Sequence, residues 1–247
     1  MKRQRILLLL LIFLCLPIGA FAAAEAPASP PAIQSGWFQW EEHWYYGTND
    51  QDLKTGWFED NGNWYYFSPE GAMKTGWVDW DNGRYYLDAY GIMVTGWANL
   101  ENSWYFFNKD GTMTTGWFQD KNKWYYALPE GALATSWQDL DNNRYFFSAG
   151  GVMATGWIQM DSSWYFFNKS GSMATGWFQD KGKWYYASPE GVMKTGWMQE
   201  KGKWYFLNPS GYMATGWIRV DGAQFFLEKN GQMRTAPLGS YAFSAAG

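Results

Sequence analysis

Two tryptophans seven residues apart recur every twenty residues along this chain, first as Trp37 and Trp44, then as Trp57 and Trp64. The leading member stands at Trp37, Trp57, Trp77, Trp97, Trp117, Trp137, Trp157, Trp177, Trp197 and Trp217, with no insertion or deletion. Indoles in this number have two chemistries open to them. Several rings facing inward surround a cation through their quadrupoles, and a single platform stacks on the apolar face of a sugar. Other chemistry is scarce. With one histidine, His43, and one cysteine, Cys15, no cluster for zinc, haem or iron–sulfur forms, and no intrachain disulfide. His43 reads as a strand residue. No catalytic residue, metal ligand or cofactor is assigned. Asp60, Asp120 and Asp180 recur at turns, where bonding to backbone accounts for them. The stretch Asp139 to Asn143 echoes a calcium loop but lacks its glycine and distal glutamate.

The 247 residues include 19 Trp, 17 Tyr and 17 Phe, 21% of the chain, alongside 28 Gly. That is more ring surface than an ordinary core hides. Lys plus Arg number 19 against 23 Asp plus Glu, for a formal charge of −4. With no basic tract beyond the first residues, nucleic acid is excluded as partner, because phosphate backbones need clustered Lys and Arg. An acidic, aromatic surface suits a cationic or sugar-like ligand.

The elements that position these rings follow from the repeat. The pattern G-W-x(6)-W-Y-Y/F-x(6)-M-x-T fills residues 36–235 as ten repeats of twenty residues, too short to fold singly, so each must bury its apolar surface on its neighbours. A coarser rhythm of sixty residues overlies it: residues 118–126 match 178–186, and Arg84 is matched by Arg144. Each repeat predicts a β-hairpin. In the second, a turn at Asn61-Gly62 sets Glu59 opposite Trp64, Phe58 opposite Tyr65 and Trp57 opposite Tyr66. Alternation along the strands then puts Trp57, Trp64 and Tyr66 on one face and Phe58, Tyr65 and Phe67 on the other. No helix of any length is expected.

Before the repeats, Lys2, Arg3 and Arg5 precede an apolar run from Ile6 to Leu16 and small residues to Ala24. Residues 1–24 read as a secretory signal peptide, the run being too short to span a bilayer, so no membrane span is expected after cleavage. Residues 25–35 read as a Pro/Ala-rich spacer and 236–247 as a C-terminal tail. The spacing leaves no segment large enough for a catalytic domain.

The repeat resembles the choline-binding, or cell-wall-binding, repeat of Gram-positive surface proteins, and the likeness covers residues 36–235. The resemblance implies an all-β, left-handed β-solenoid of hairpins that holds phosphocholine of teichoic or lipoteichoic acid between successive hairpins. It also implies a secreted protein of the cell wall or cell surface that is not an enzyme. By that likeness a site takes both tryptophans of one repeat, the second aromatic after the second Trp of the next repeat, and a nearby Met or Leu. The sets are Trp37, Trp44, Tyr66 and Met73; Trp57, Trp64, Tyr86 and Met93; Trp97, Trp104, Tyr126 and Leu133; and Trp157, Trp164, Tyr186 and Met193. Three more carry Phe: Trp117, Trp124, Phe146 and Met153; Trp177, Trp184, Phe206 and Met213; and Trp197, Trp204, Phe226 and Met233. Arg84 and Arg144 replace the second Trp beside Trp77 and Trp137, and two arrangements stay open: each guanidinium lies over its tryptophan as an internal cation, or each Arg stands exposed on a degenerate repeat. Gln224 ends the series. A glucan ligand, a homodimer, and a surface role in restraining wall hydrolases or binding a host ligand stay open as alternatives.

Overall fold

The structure, a computed structural model, describes residues 32–235. The signal segment, most of the proposed spacer and the tail lie outside the described residues. The chain divides into two units, one ending at Lys74 and the other beginning at Thr75. All regular structure within the described residues is β: twenty strands of five residues pair as ten antiparallel hairpins.

The register is the expected one. In the hairpin of β3 (Gly56–Asp60) and β4 (Asn63–Phe67), Trp57 faces Tyr66, Phe58 faces Tyr65 and Glu59 faces Trp64. Asn61 and Gly62 turn the chain with φ of 50° and 79°, the paired left-handed conformation whose twist suits a two-residue hairpin loop. The residue that opens each first strand needs the same freedom. Gly116 has φ of 74° and a Cβ there would meet nothing within 4 Å, so the backbone angle rather than space selects glycine. Ser136 stands at the equivalent point with φ of 61°. Relief of that strain in Ser136→Gly is expected to stabilise the protein by about 1 kcal/mol. A rise in Tm on thermal melting checks it, and an unchanged or lower Tm contradicts it.

Within each unit hairpins stack front to back. The face of one hairpin that carries the leading Trp meets the face of the next that carries the Tyr after the second-Trp position and the last strand residue. Trp117 lies 5.0 Å from Tyr145 and 5.7 Å from Phe147, ring centre to ring centre. Trp77 meets Tyr105 and Phe107 in the same way, at 5.2 and 5.9 Å. The last strand residue becomes the core: Phe67, Leu87, Phe147, Phe167, Leu207 and Leu227 are fully buried. Burying a side chain of this size contributes about 1.5–3 kcal/mol, once per repeat. Within each unit a backbone bond joins successive repeats. Met153 N donates to the Trp124 carbonyl at 2.9 Å and Met213 N to the Trp184 carbonyl at 2.7 Å. The Met side chain then fills a notch in the following repeat, where a Cβ on Gly171 would overlap the Met153 thioether.

In the first unit, Gly47 occupies the place that Phe67 takes one repeat later. Residues 33–35 cross it so closely that a Cβ on Gly47 would overlap the Gln34 carbonyl. Ser35 Oγ also donates to Asn49 Oδ1 at 2.8 Å. Ile33, Gln34 and Ser35 therefore lie on the first hairpin.

Candidate functional site

Two of the junctions between repeats in the second unit open as hollows with the same walls. The first, of about 290 Å³, is lined by Trp117, Trp124, Tyr145, Met153, Lys169 and Ser170. The second, of about 370 Å³, is lined by Trp177, Trp184, Tyr205, Met213, Lys229 and Asn230. Local structure explains each wall. β9 (Gly116–Asp120) carries Trp117 and β10 (Lys123–Ala127) carries Trp124 on the same face, and the two indoles stand 6.4 Å apart at 80°. β12 (Asn143–Phe147) brings Tyr145 from the next hairpin. Met153 is held at the mouth by its bond to the Trp124 carbonyl. The leading indole is partly buried, whereas the second Trp of each pair keeps 40–46% of its surface exposed from Trp44 through Trp204. Three ring faces and a thioether describe a pocket for an apolar cation.

In these two hollows the two expected tryptophans and the expected methionine line one space, with Tyr145 and Tyr205 rather than Phe146 and Phe206 as the third ring. The neighbour of the leading Trp across each junction is Tyr65 for Trp37 at 4.8 Å, Tyr125 for Trp97 at 4.9 Å, Tyr185 for Trp157 at 4.8 Å and Tyr205 for Trp177 at 4.9 Å. Phe225 takes the place beside Trp197 at 4.8 Å. Tyr66, Tyr126, Phe146, Tyr186, Phe206 and Phe226 lie instead against the leading Trp of their own hairpins, at 5.1–5.2 Å. Tyr86 lies in the same way 5.1 Å from Trp77. The reason is strand alternation. Front-to-back stacking requires the incoming ring to come from the face opposite its own tryptophans, and one residue along a strand changes the face. The set Trp57, Trp64, Tyr86 and Met93 divides between the two units, its tryptophans in the first and Tyr86 and Met93 in the second.

Both arginines take the internal-cation arrangement, the first of the two left open by the sequence. Arg84 Cζ lies 4.5 Å over the Trp77 ring and Arg144 Cζ 5.0 Å over Trp137. Each is paired across the hairpin with an aspartate, Arg84 Nε with Asp79 Oδ1 at 3.4 Å and Arg144 Nε with Asp139 Oδ1 at 3.5 Å. A protein cation thus sits on the indole face that the open hollows leave free.

One feature escaped the sequence. Asp60, Asp120 and Asp180 accept the indole N–H of Trp37, Trp97 and Trp157 at 2.9, 3.0 and 3.0 Å, each 23 residues earlier. They pin the leading indole of every third junction from the next repeat. The nearby Tyr125 and Tyr185 phenols are pushed up from their ordinary pKa, mainly by burial and then by the Asp120 and Asp180 carboxylates, so they stay neutral donors. A larger hollow of about 720 Å³ lies at the last hairpin between Thr215 and Asn230. It contains no indole, and Trp217 is 58% exposed.

Comparison with known proteins bears on these junctions. Residues 94–132, 154–195 and 194–236 match a model described as a choline-binding repeat, and residues 55–73, 75–93 and 135–153 match a cell wall binding repeat. Together they take in most of the chain. Among solved structures, CbpJ from Streptococcus pneumoniae is similar at 28% identity and a TM-score of 0.68, over 81% of this chain and 88% of that one. Choline binding protein F from Streptococcus pneumoniae, in the presence of a peptidoglycan analogue, is similar at 28% identity and a TM-score of 0.65, over 81% and 86%. The modular autolysin LytC from the same organism is similar at 25% identity and a TM-score of 0.56, over 82% of this chain but only 48% of LytC. A search of curated protein sequences finds no match.

Proposed function

The chain belongs to the choline-binding repeat family, and on that premise we propose that it is a non-catalytic binder that holds choline groups of wall teichoic or lipoteichoic acid in the hollows between hairpins. The observation that carries the reading is the repeated wall of two indoles, one tyrosine and one methionine around Trp117 and Trp177. In each, the trimethylammonium head rests among Trp117, Trp124 and Tyr145, or Trp177, Trp184 and Tyr205, with the Met thioether closing the mouth. Quaternary ammonium carries charge but no N–H, so a cage of ring faces satisfies it without hydrogen bonds. The same sets recur, with Tyr65, Tyr125, Tyr185 or Phe225 as third ring, at Trp37, Trp97, Trp157 and Trp197.

Magnitudes make this a multivalent device. A cation over a ring contributes about 0.5–2 kcal/mol, so three rings, less the ordering of guest and side chains, give about 4 kcal/mol, or roughly millimolar affinity. A single such site releases its guest readily. A polymer that presents many choline groups raises retention by roughly 10² to 10⁴ through effective concentration where several hollows engage at once. Attachment of this kind is noncovalent and is reversed by free choline.

The test is retention on choline-bearing walls. Free choline at tens of millimolar is expected to release the bound protein, and dextran at equal mass is expected to leave it in place. Release by dextran and not by choline would replace choline with a glucan as the ligand. Cleavage of purified wall by the protein would overturn the non-catalytic part.

A further inference from the structure

Each of the two hollows carries a cation of its own. Lys169 completes the lining begun by Trp117, Trp124, Tyr145 and Met153, and sixty residues on Lys229 stands in the same place beside Trp177 and Trp184. Both lysines are exposed, and an ammonium beside a cage for a positive guest repels that guest unless the guest also carries an anion. The cationic head then faces the rings, and an anion a few bonds away faces the lysine. The second rim residue is not the constant partner. Ser170 Oγ already donates to Asn168 Oδ1 at 2.6 Å, and in the other hollow the residue is Asn230, whose Oδ1 accepts from Gln232 N at 3.1 Å.

We infer that Lys169 and Lys229 form anion subsites that make these two hollows select choline carried on a phosphate over free choline. The inference rests on the choline reading above and adds the group that recognises the other half of the ligand. The residues at the equivalent rim positions vary with the junction. Beyond the ring sets at Trp97 and Trp157 they are Ala149-Gly150 and Pro209-Ser210, without a cation. Beyond Arg84 and Arg144 they are Pro129-Glu130 and Pro189-Glu190, an acid where the cage already holds a protein cation. Charge at the rim is thus opposite in the two filled junctions and in the two hollows at Trp117 and Trp177, as expected if a guest phosphate answers the lysine where Glu130 and Glu190 have no guest to answer.

The test resolves the sites. Indole N–H signals of Trp97, Trp117, Trp157 and Trp177, assigned through single Trp→Phe variants, are followed by NMR in the full chain during titration with choline, phosphocholine, glycerophosphocholine and inorganic phosphate. At Trp117 and Trp177 both phosphate-bearing cholines are expected to bind about two- to fivefold more tightly than choline, the size of one partly exposed charge contact. At Trp97 and Trp157 no such preference is expected. Glycerophosphocholine carries the diester of a polymer linkage and phosphocholine the free monoester, so their ratio reports which source the subsite fits. In Lys169→Ala with Lys229→Ala the preference is expected to vanish while choline affinity holds or rises, and Lys169→Arg with Lys229→Arg is expected to restore it. A preference that survives the alanine pair, or that is equal at all four tryptophans, overturns the inference while leaving the choline reading intact. No response to choline at any of the four overturns both.

Discussion

Replacing Arg84 and Arg144 together with tryptophan is expected to add two choline equivalents to the protein's binding stoichiometry. Everything else needed for a cage is already in place at both junctions. Tyr105 lies 5.2 Å from Trp77 and Tyr165 5.2 Å from Trp137, and Met113 N and Met173 N bond to the Arg84 and Arg144 carbonyls at 2.7 and 2.8 Å. What differs is that a guanidinium covers each indole. The arginine side chains are 42% and 46% exposed, so their ion pairs with Asp79 and Asp139 are weak and the ring contact sets their position. Other repeats accept tryptophan at this strand position with nearly half its surface in water, and the fold should accept it here. Equilibrium dialysis against choline, with the wild-type chain as reference, gives the count. Unchanged stoichiometry would show that the guanidinium is not what closes these two junctions.

The second large effect separates binding from stability within one hollow. Trp124 is 45% exposed, and Trp124→Ala removes one wall of the cage while the backbone bond from Met153 to the residue-124 carbonyl stays. Choline affinity at that hollow is expected to fall roughly 3- to 30-fold, with Tm nearly unchanged. Trp117 touches Trp124, Tyr126, Tyr145 and Phe147 and packs on the buried cluster of Ala134, Tyr145, Phe147 and Met153. Trp117→Ala is expected to lose the site and also about 3–5 kcal/mol of stability, because its ring leaves a cavity between two hairpins. Thermal melts run beside the titrations decide the matter. Equal Tm values for the two variants would contradict the division between a packed leading indole and an exposed second one.

Much of this was legible because the repeat is local. Asn61-Gly62 dictates its turn by conformational need, the turn fixes the register, and the register sorts Trp57, Trp64 and Tyr66 onto one face. Arg84 over Trp77 was also legible, since both stand on one hairpin, two residues out of register across it. What could not be read locally concerns how one hairpin meets the next. The ring that closes the Trp117 hollow is Tyr145 and not Phe146, a shift of one residue that follows from front-to-back stacking. Strand alternation applied across the junction selects Tyr145, which lies on the face opposite Phe146. Asp60, Asp120 and Asp180 looked like turn residues because they end a strand; their bonds to Trp37, Trp97 and Trp157 depend on the stacking offset. Their sixty-residue spacing was the available signal. Ile33 to Ser35 stand twenty residues before Leu53 to Thr55, a truncated repeat end hidden by the Pro/Ala-rich composition around it.

The claim on which the rest depends is that a quaternary ammonium sits among Trp117, Trp124 and Tyr145. A crystal structure of the protein grown with choline tests it most directly. The account predicts a trimethylammonium group within about 6 Å of all three ring centres and beside the Met153 thioether, repeated among Trp177, Trp184 and Tyr205. Choline resting against Phe146 instead, or both hollows found without it at saturating choline, would contradict the account.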